Sequence, residues 1–141
     1  MSADFLDSNV LLYQFDRKAL QKQSVAREII VNALTTRSAI ISFQGVQETL
    51  NVLTRKLPVP MAELDVQDVL NNMLIPLMRV MPSAALYTDA LRIAQRFKFS
   101  FYDALIVAAA QSAGCKRLLT EDMQHGDVID RSEERRVGKE C

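Results

Sequence analysis

Residues 100–120 read Ser-Phe-Tyr-Asp-Ala-Leu-Ile-Val-Ala-Ala-Ala-Gln-Ser-Ala-Gly-Cys-Lys-Arg-Leu-Leu-Thr. Ser100 and Asp103 stand at capping-box spacing, and residues 104–110 are all apolar. A helix apolar nearly all round belongs inside a domain, so its first turn sits at the edge of the core. The spacing predicts a helix over 101–113 and a short strand over 117–120. A buried helix feeding directly into a strand is the unit of a parallel sheet covered by helices.

The same alternation extends towards the N-terminus. Residues 3–6 form a short, mostly apolar strand, and residues 9–15 offer a turn or two of helix. Leu20, Val25, Ala26, Ile29, Ile30, Ala33 and Leu34 recur at helical spacing over 18–36, and residues 38–42 read as a second buried strand. A helix over 44–57 carries Val46, Leu50, Leu53 and Leu57 on one face. Pro60 suits the first turn of a helix over 61–74, which Pro76 ends. A third strand is expected at 79–81, an amphipathic helix at 84–97, and an incoming strand at 127–130. Strands alternating with helices imply right-handed crossovers. The expected fold class is α/β, one domain with a short parallel sheet flanked by helices on both faces.

Composition narrows the functional classes. The chain has 141 residues, 49% of them apolar, with 17 basic and 17 acidic side chains. A chain of this size buries roughly 70% of the surface its unfolded form exposes. No apolar run approaches the length of a membrane span. Two acids near the N-terminus stand where a secretory signal would carry basic residues, so a soluble, cytoplasmic protein is expected. Two cysteines and one histidine, His125, make a zinc site unattractive, and Cys115 reads as a small packed residue after Gly114. Zero net charge means that a polyanion partner must be held by something local. Arg17, Lys18, Lys22, Arg55 and Lys56 are scattered cations whose ordinary explanation is a solvated surface.

Residues 131–141, Arg-Ser-Glu-Glu-Arg-Arg-Val-Gly-Lys-Glu-Cys, differ from the rest, with seven charges in eleven positions and no apolar period. They are compatible with the translation of one reading frame of a common short-read sequencing adapter. On this reading residues 1–130 are the domain and 131–141 a non-native tail. Without the tail's four basic and three acidic residues the chain keeps 13 and 14, so near-neutrality survives.

In an open α/β sheet, ligands collect past the carboxyl ends of the strands. Asp7 follows the first strand, and a carboxylate there needs capping work, a partner or a metal. Glu48 lies one turn past the second strand, on a polar stripe with Gln44, Asn51 and Arg55 that solvation alone would explain. Asp103 opens the most buried helix, where capping is an equally good account. Asp122 comes two residues past the fourth strand, beside Glu121, where a turn would also suffice. Four converging carboxylates would raise one another's pKa values unless neutralised, and hard Mg²⁺ or Mn²⁺ ions take oxygen ligands. Such a centre points to metal-assisted phosphodiester hydrolysis and lets an acidic site accept a polyanion.

Four segments carry a resemblance: residues 5–13 (FLDSNVLLY), 44–53 (QGVQETLNVL), 100–110 (SFYDALIVAAA) and 118–126 (LLTEDMQHG). In that order they resemble PIN-domain ribonucleases of the VapC toxin type, over nearly the whole chain to Asp130. The third segment is the most specific. The resemblance implies a PIN fold with Asp7, Glu48, Asp103 and Asp122 as catalytic, metal-binding acids. Ser8, Asn9 and Thr120 would orient those ligands or the bound water. It further implies Mg²⁺- or Mn²⁺-dependent cleavage of RNA, a homodimer, and neutralisation by a small antitoxin protein that crosses the acidic groove. The family's usual last strand is interrupted by residues 131–141, which is expected to leave its neighbour an exposed edge and to lower stability.

Two other classes compete with this reading. A PIN-like module that binds RNA or protein without cutting fits less well, because all four acids are present. Phosphoaspartyl enzymes want Asp-x-Asp after the first strand, where Asp7-Ser8-Asn9 supplies Asn. Receivers want a lysine after a late strand, where this chain has Thr120-Glu121-Asp122.

Overall fold

The structure is a computed structural model that describes residues 3–120 and 128–130. Asp122, Glu121, His125 and the 131–141 tail lie outside the described residues. The elements run in the expected order: β1 (Asp4–Leu6), α1 (Ser8–Tyr13), α2 (Leu20–Thr36), β2 (Ala39–Ser42) and α3 (Phe43–Asn51). Then come α4 (Glu63–Val69), α5 (Ile75–Leu77), β3 (Met78–Val80), α6 (Ala84–Phe97), α7 (Phe101–Ser112), β4 (Arg117–Leu119) and β5 (Val128–Asp130).

The sheet order is β3-β2-β1-β4-β5. β1 pairs in parallel with both β2 and β4, β2 pairs in parallel with β3, and β5 runs antiparallel to β4. The chain therefore steps outward from β1 to β3, then returns across the sheet to place β4 on β1's other side. That reversal makes the carboxyl ends of β1 and β4 a switch point, the place where such sheets bind ligands.

Strand alternation sends successive side chains to opposite faces. Phe5 and Leu118 join α6 and α7 residues Leu86, Ala90, Ala104, Leu105 and Ala108 in one core cluster. Leu6, Ile41 and Leu119 join Val10, Leu11, Ile30 and Val46 in the other. Helices thus cover both faces, as right-handed crossovers on either side of a reversal require. The Arg117 guanidinium forks onto the Asp4 carboxylate, tying β4 to β1 (Nε–Oδ1 3.0 Å).

Several expectations are corrected. The helix expected over 44–57 changes to π-helical pitch over Val52–Lys56, and the one expected over 61–74 does so over Leu70–Leu74. Helical spacing alone does not distinguish the wider pitch. Pro60 precedes the cap residue Ala62 instead of entering the first turn, and Pro76 sits inside α5 at its N-terminal positions, where a missing N–H costs nothing. Leu20 and Val25 are exposed, because α2 buries only the narrow stripe Ala26, Ile30 and Ala33. β4 also keeps a partner along all three of its residues, since residues 128–130 precede the tail.

Candidate active site

Asp7 stands one residue past β1, and its backbone N–H donates to the Leu119 carbonyl at the end of β4 (3.0 Å). The sheet itself therefore fixes this aspartate at the switch point. Asp7 is also the cap of α1: its Oδ1 accepts from the Ser8 N–H at 2.7 Å. A capping carboxylate at a helix start is favoured by the unpaired N–H groups and by the helix dipole. The Asn9 side-chain amide donates to Asp7 Oδ2 at 3.4 Å.

Ser8 connects the second acid. Its hydroxyl donates to Glu48 Oε1 at 2.8 Å and lies 3.5 Å from Asp7 Oδ1. Two half-buried carboxylates from different elements are thus gathered around one hydroxyl. Glu48 reaches this point because α3 starts immediately after β2 and carries it just over one turn past the strand end.

Asp103 is exposed in the first turn of α7, where the Ser100 hydroxyl accepts from its N–H at 3.1 Å, as the capping-box spacing predicts. It is tied to α3 by a relay: the Gln44 amide, one helical turn before Glu48, donates to the Tyr102 carbonyl at 3.3 Å. Among the described residues, no group of three His, Cys, Asp or Glu side chains is placed to hold a metal ion. The structure brings Asp7, Ser8, Asn9 and Glu48 together, and among the described residues exposed Asp103 does not join them as a third acid. Thr120 follows β4 and is half-buried with interactions of its own, and Asp122 lies outside the described residues.

Gln44 is the residue that sequence reasoning assigned to solvent. It is 4% exposed, and its Oε1 is buried with no hydrogen-bond partner among the described residues. Its spacing of four from Glu48 was the available signal. The polar stripe divides accordingly: Gln44 buried, Glu48 half-buried, Asn51 and Arg55 exposed.

The donor set suits a hard divalent cation. All candidate ligands are carboxylate oxygens, and Asn9 Oδ1, beside Asp7, is buried with no partner among the described residues. A buried acceptor left open is costly unless a water or ion completes it. Asp7 and Glu48 are the carboxylates that would hold such an ion, Ser8 being bonded to both and Asn9 to Asp7.

Comparison with curated proteins returns no match. The family model described as PIN domain matches residues 5–129, which spans all four motif segments and reaches into every strand among the described residues. PIN domains have a nuclease-type fold and typically use divalent metal ions. This chain belongs to the PIN domain family.

Proposed function

We propose that the chain is a Mg²⁺- or Mn²⁺-dependent endoribonuclease of the VapC type, the toxin of a toxin–antitoxin pair. The observation that carries the nuclease reading is the Ser8 bridge, which gathers Asp7 and Glu48 at the sheet's switch point. Asp103 and Asp122 complete the proposed acidic set. The toxin assignment rests on the order of the four motif segments, with RNA as substrate, a homodimer and a small antitoxin as the partners it brings. Exposed Leu20 and Val31 on α2 and Leu64 on α4 offer apolar surface to such partners. The same reading takes residues 1–130 as the nuclease domain and 131–141 as a tail foreign to it.

A bound divalent cation supplies charge neutralisation, activation of water and stabilisation of the leaving oxygen. The protein's own part is positional. Ser8 holds the two carboxylates around one point, Asn9 steers Asp7 Oδ2, and the Leu119 carbonyl anchors the Asp7 backbone. Rigid orientation of this kind is what keeps ligand oxygens aimed at an ion.

The test is incubation of the purified full chain with total RNA, with and without Mg²⁺ or Mn²⁺. Cleavage that needs the metal and disappears in Asp7→Asn and Asp103→Asn supports the proposal. Cleavage that persists in both variants overturns the site. RNA binding with no cleavage by the unaltered chain identifies a non-cleaving module instead.

A further inference from the structure

A cavity of about 310 Å³ opens where the end of α2 meets the amino ends of β2 and β3. Buried Ala33, Ala39 and Leu77 give it an apolar wall. Ala39 is level with Asp4 in the sheet, so Asp7 lies three residues further along, about 10 Å away at the strands' carboxyl ends. The cavity is therefore separate from the candidate carboxylates. Its charged lining is Arg37 and Arg79, with no acid among the described residues. Neither guanidinium forms an ion pair within the described residues. Arg79 Nη1 donates to the Met78 carbonyl at 3.2 Å, which leaves its other N–H groups for a ligand. Arg37 is held at φ 59°, a region that favours glycine. A strained backbone that keeps a long cation on a cavity is the kind of cost that ligand clamps carry.

We propose that this cavity is a second binding site, which takes a small organic phosphate. A phosphate monoester carries a charge of about −1.5 to −2 at neutral pH, which two guanidinium groups balance. Their planar N–H forks match phosphate oxygens in pairs. The apolar wall takes the organic body. The volume is at the small end of ligand pockets, which run from roughly 300 to 1,000 Å³, and so suits a molecule of mononucleotide size. The site does not depend on the nuclease reading.

Calorimetry on the full chain in EDTA tests it, with adenosine monophosphate as the probe and adenosine as the uncharged control. One molecule of adenosine monophosphate should bind per chain, about tenfold or more tighter than adenosine. Arg37→Gly and Arg79→Gln should each weaken it by about tenfold or more, and Arg37→Gly relieves backbone strain, so its loss is not a folding defect. Arg27→Gln, the same charge change at an exposed position on α2, should leave binding unchanged, as should Asp7→Asn. Adenosine monophosphate binding no tighter than adenosine, or unweakened in both Arg37→Gly and Arg79→Gln, overturns the proposal. Binding lost in Asp7→Asn places the ligand at the other end of the sheet and also overturns it. Oligouridylate that needs both arginines, while adenosine monophosphate does not bind, makes the cavity a polymer contact and overturns it too.

Discussion

The Ser8 hydroxyl donates to Glu48 Oε1 at 2.8 Å, joining residues 40 positions apart in the sequence. The bond spans the gap between the start of α1 and the body of α3, and Asp7 accepts from the same serine's backbone. Ser8→Ala removes the bond to Glu48 and keeps the backbone cap. Cleavage should fall about 10- to 100-fold, the usual cost of losing a residue that orients a metal ligand. Stability should change by only about 1 kcal/mol or less, because the site is partly solvated. Paired melting curves and RNA cleavage rates check both halves.

Asp7 carries two separable duties, capping α1 and holding charge. Asn caps as well as Asp, so Asp7→Asn should melt within about 0.5 kcal/mol of the unaltered chain while losing cleavage. Asp7→Ala should lose both, at a stability cost of about 1 kcal/mol. Denaturant titration of the two variants separates the duties.

Ala104, Ala108, Ala109 and Ala110 are all buried at the heart of the α6–α7 face of the sheet. The run of alanines is a close-approach surface with no room for longer side chains. Ala109, fully buried, should tolerate Leu poorly: Ala109→Leu should cost about 1–3 kcal/mol by overpacking. Thermal unfolding measures it.

Arg37 closes α2 in the left-handed region at φ 59°, and its N–H donates to the Ala33 carbonyl. A side chain there is strained, and glycine is the residue that region favours. Arg37→Gly should therefore raise stability by about 0.5–1 kcal/mol. Lys98, at φ 61° after α6, should behave likewise, and both are read by denaturant midpoint.

The fold was legible because its signals are local. The apolar run at 104–110 marks a helix with no solvent face, and the mostly apolar stretch at 3–6 marks a strand, whose Phe5 and Leu6 enter opposite cores in the structure. The π-helical turns at Val52–Lys56 and Leu70–Leu74 were not legible, since a small change in pitch leaves the apolar spacing nearly intact. In the site, Asp7 and Ser8 were legible from their place after β1. Gln44 was legible only in part: its spacing of four sets it on Glu48's face of α3, but its burial and its bond to the Tyr102 carbonyl are tertiary facts that the stripe shared with Asn51 and Arg55 does not carry. Asp103 shows the converse: the bond from its backbone N–H to the capping Ser100 hydroxyl follows from the spacing of the two residues, whereas what surrounds its carboxylate is set by packing.

On the proposed function, Asp7, Glu48, Asp103 and Asp122 together hold one divalent ion. Titration of Mn²⁺ into the full chain, followed by electron paramagnetic resonance of the free ion, addresses it without reference to RNA. One saturable site per chain is expected, lost in Asp7→Asn and strongly weakened in Asp103→Asn. Mn²⁺ binding in both variants that matches the unaltered chain would contradict it.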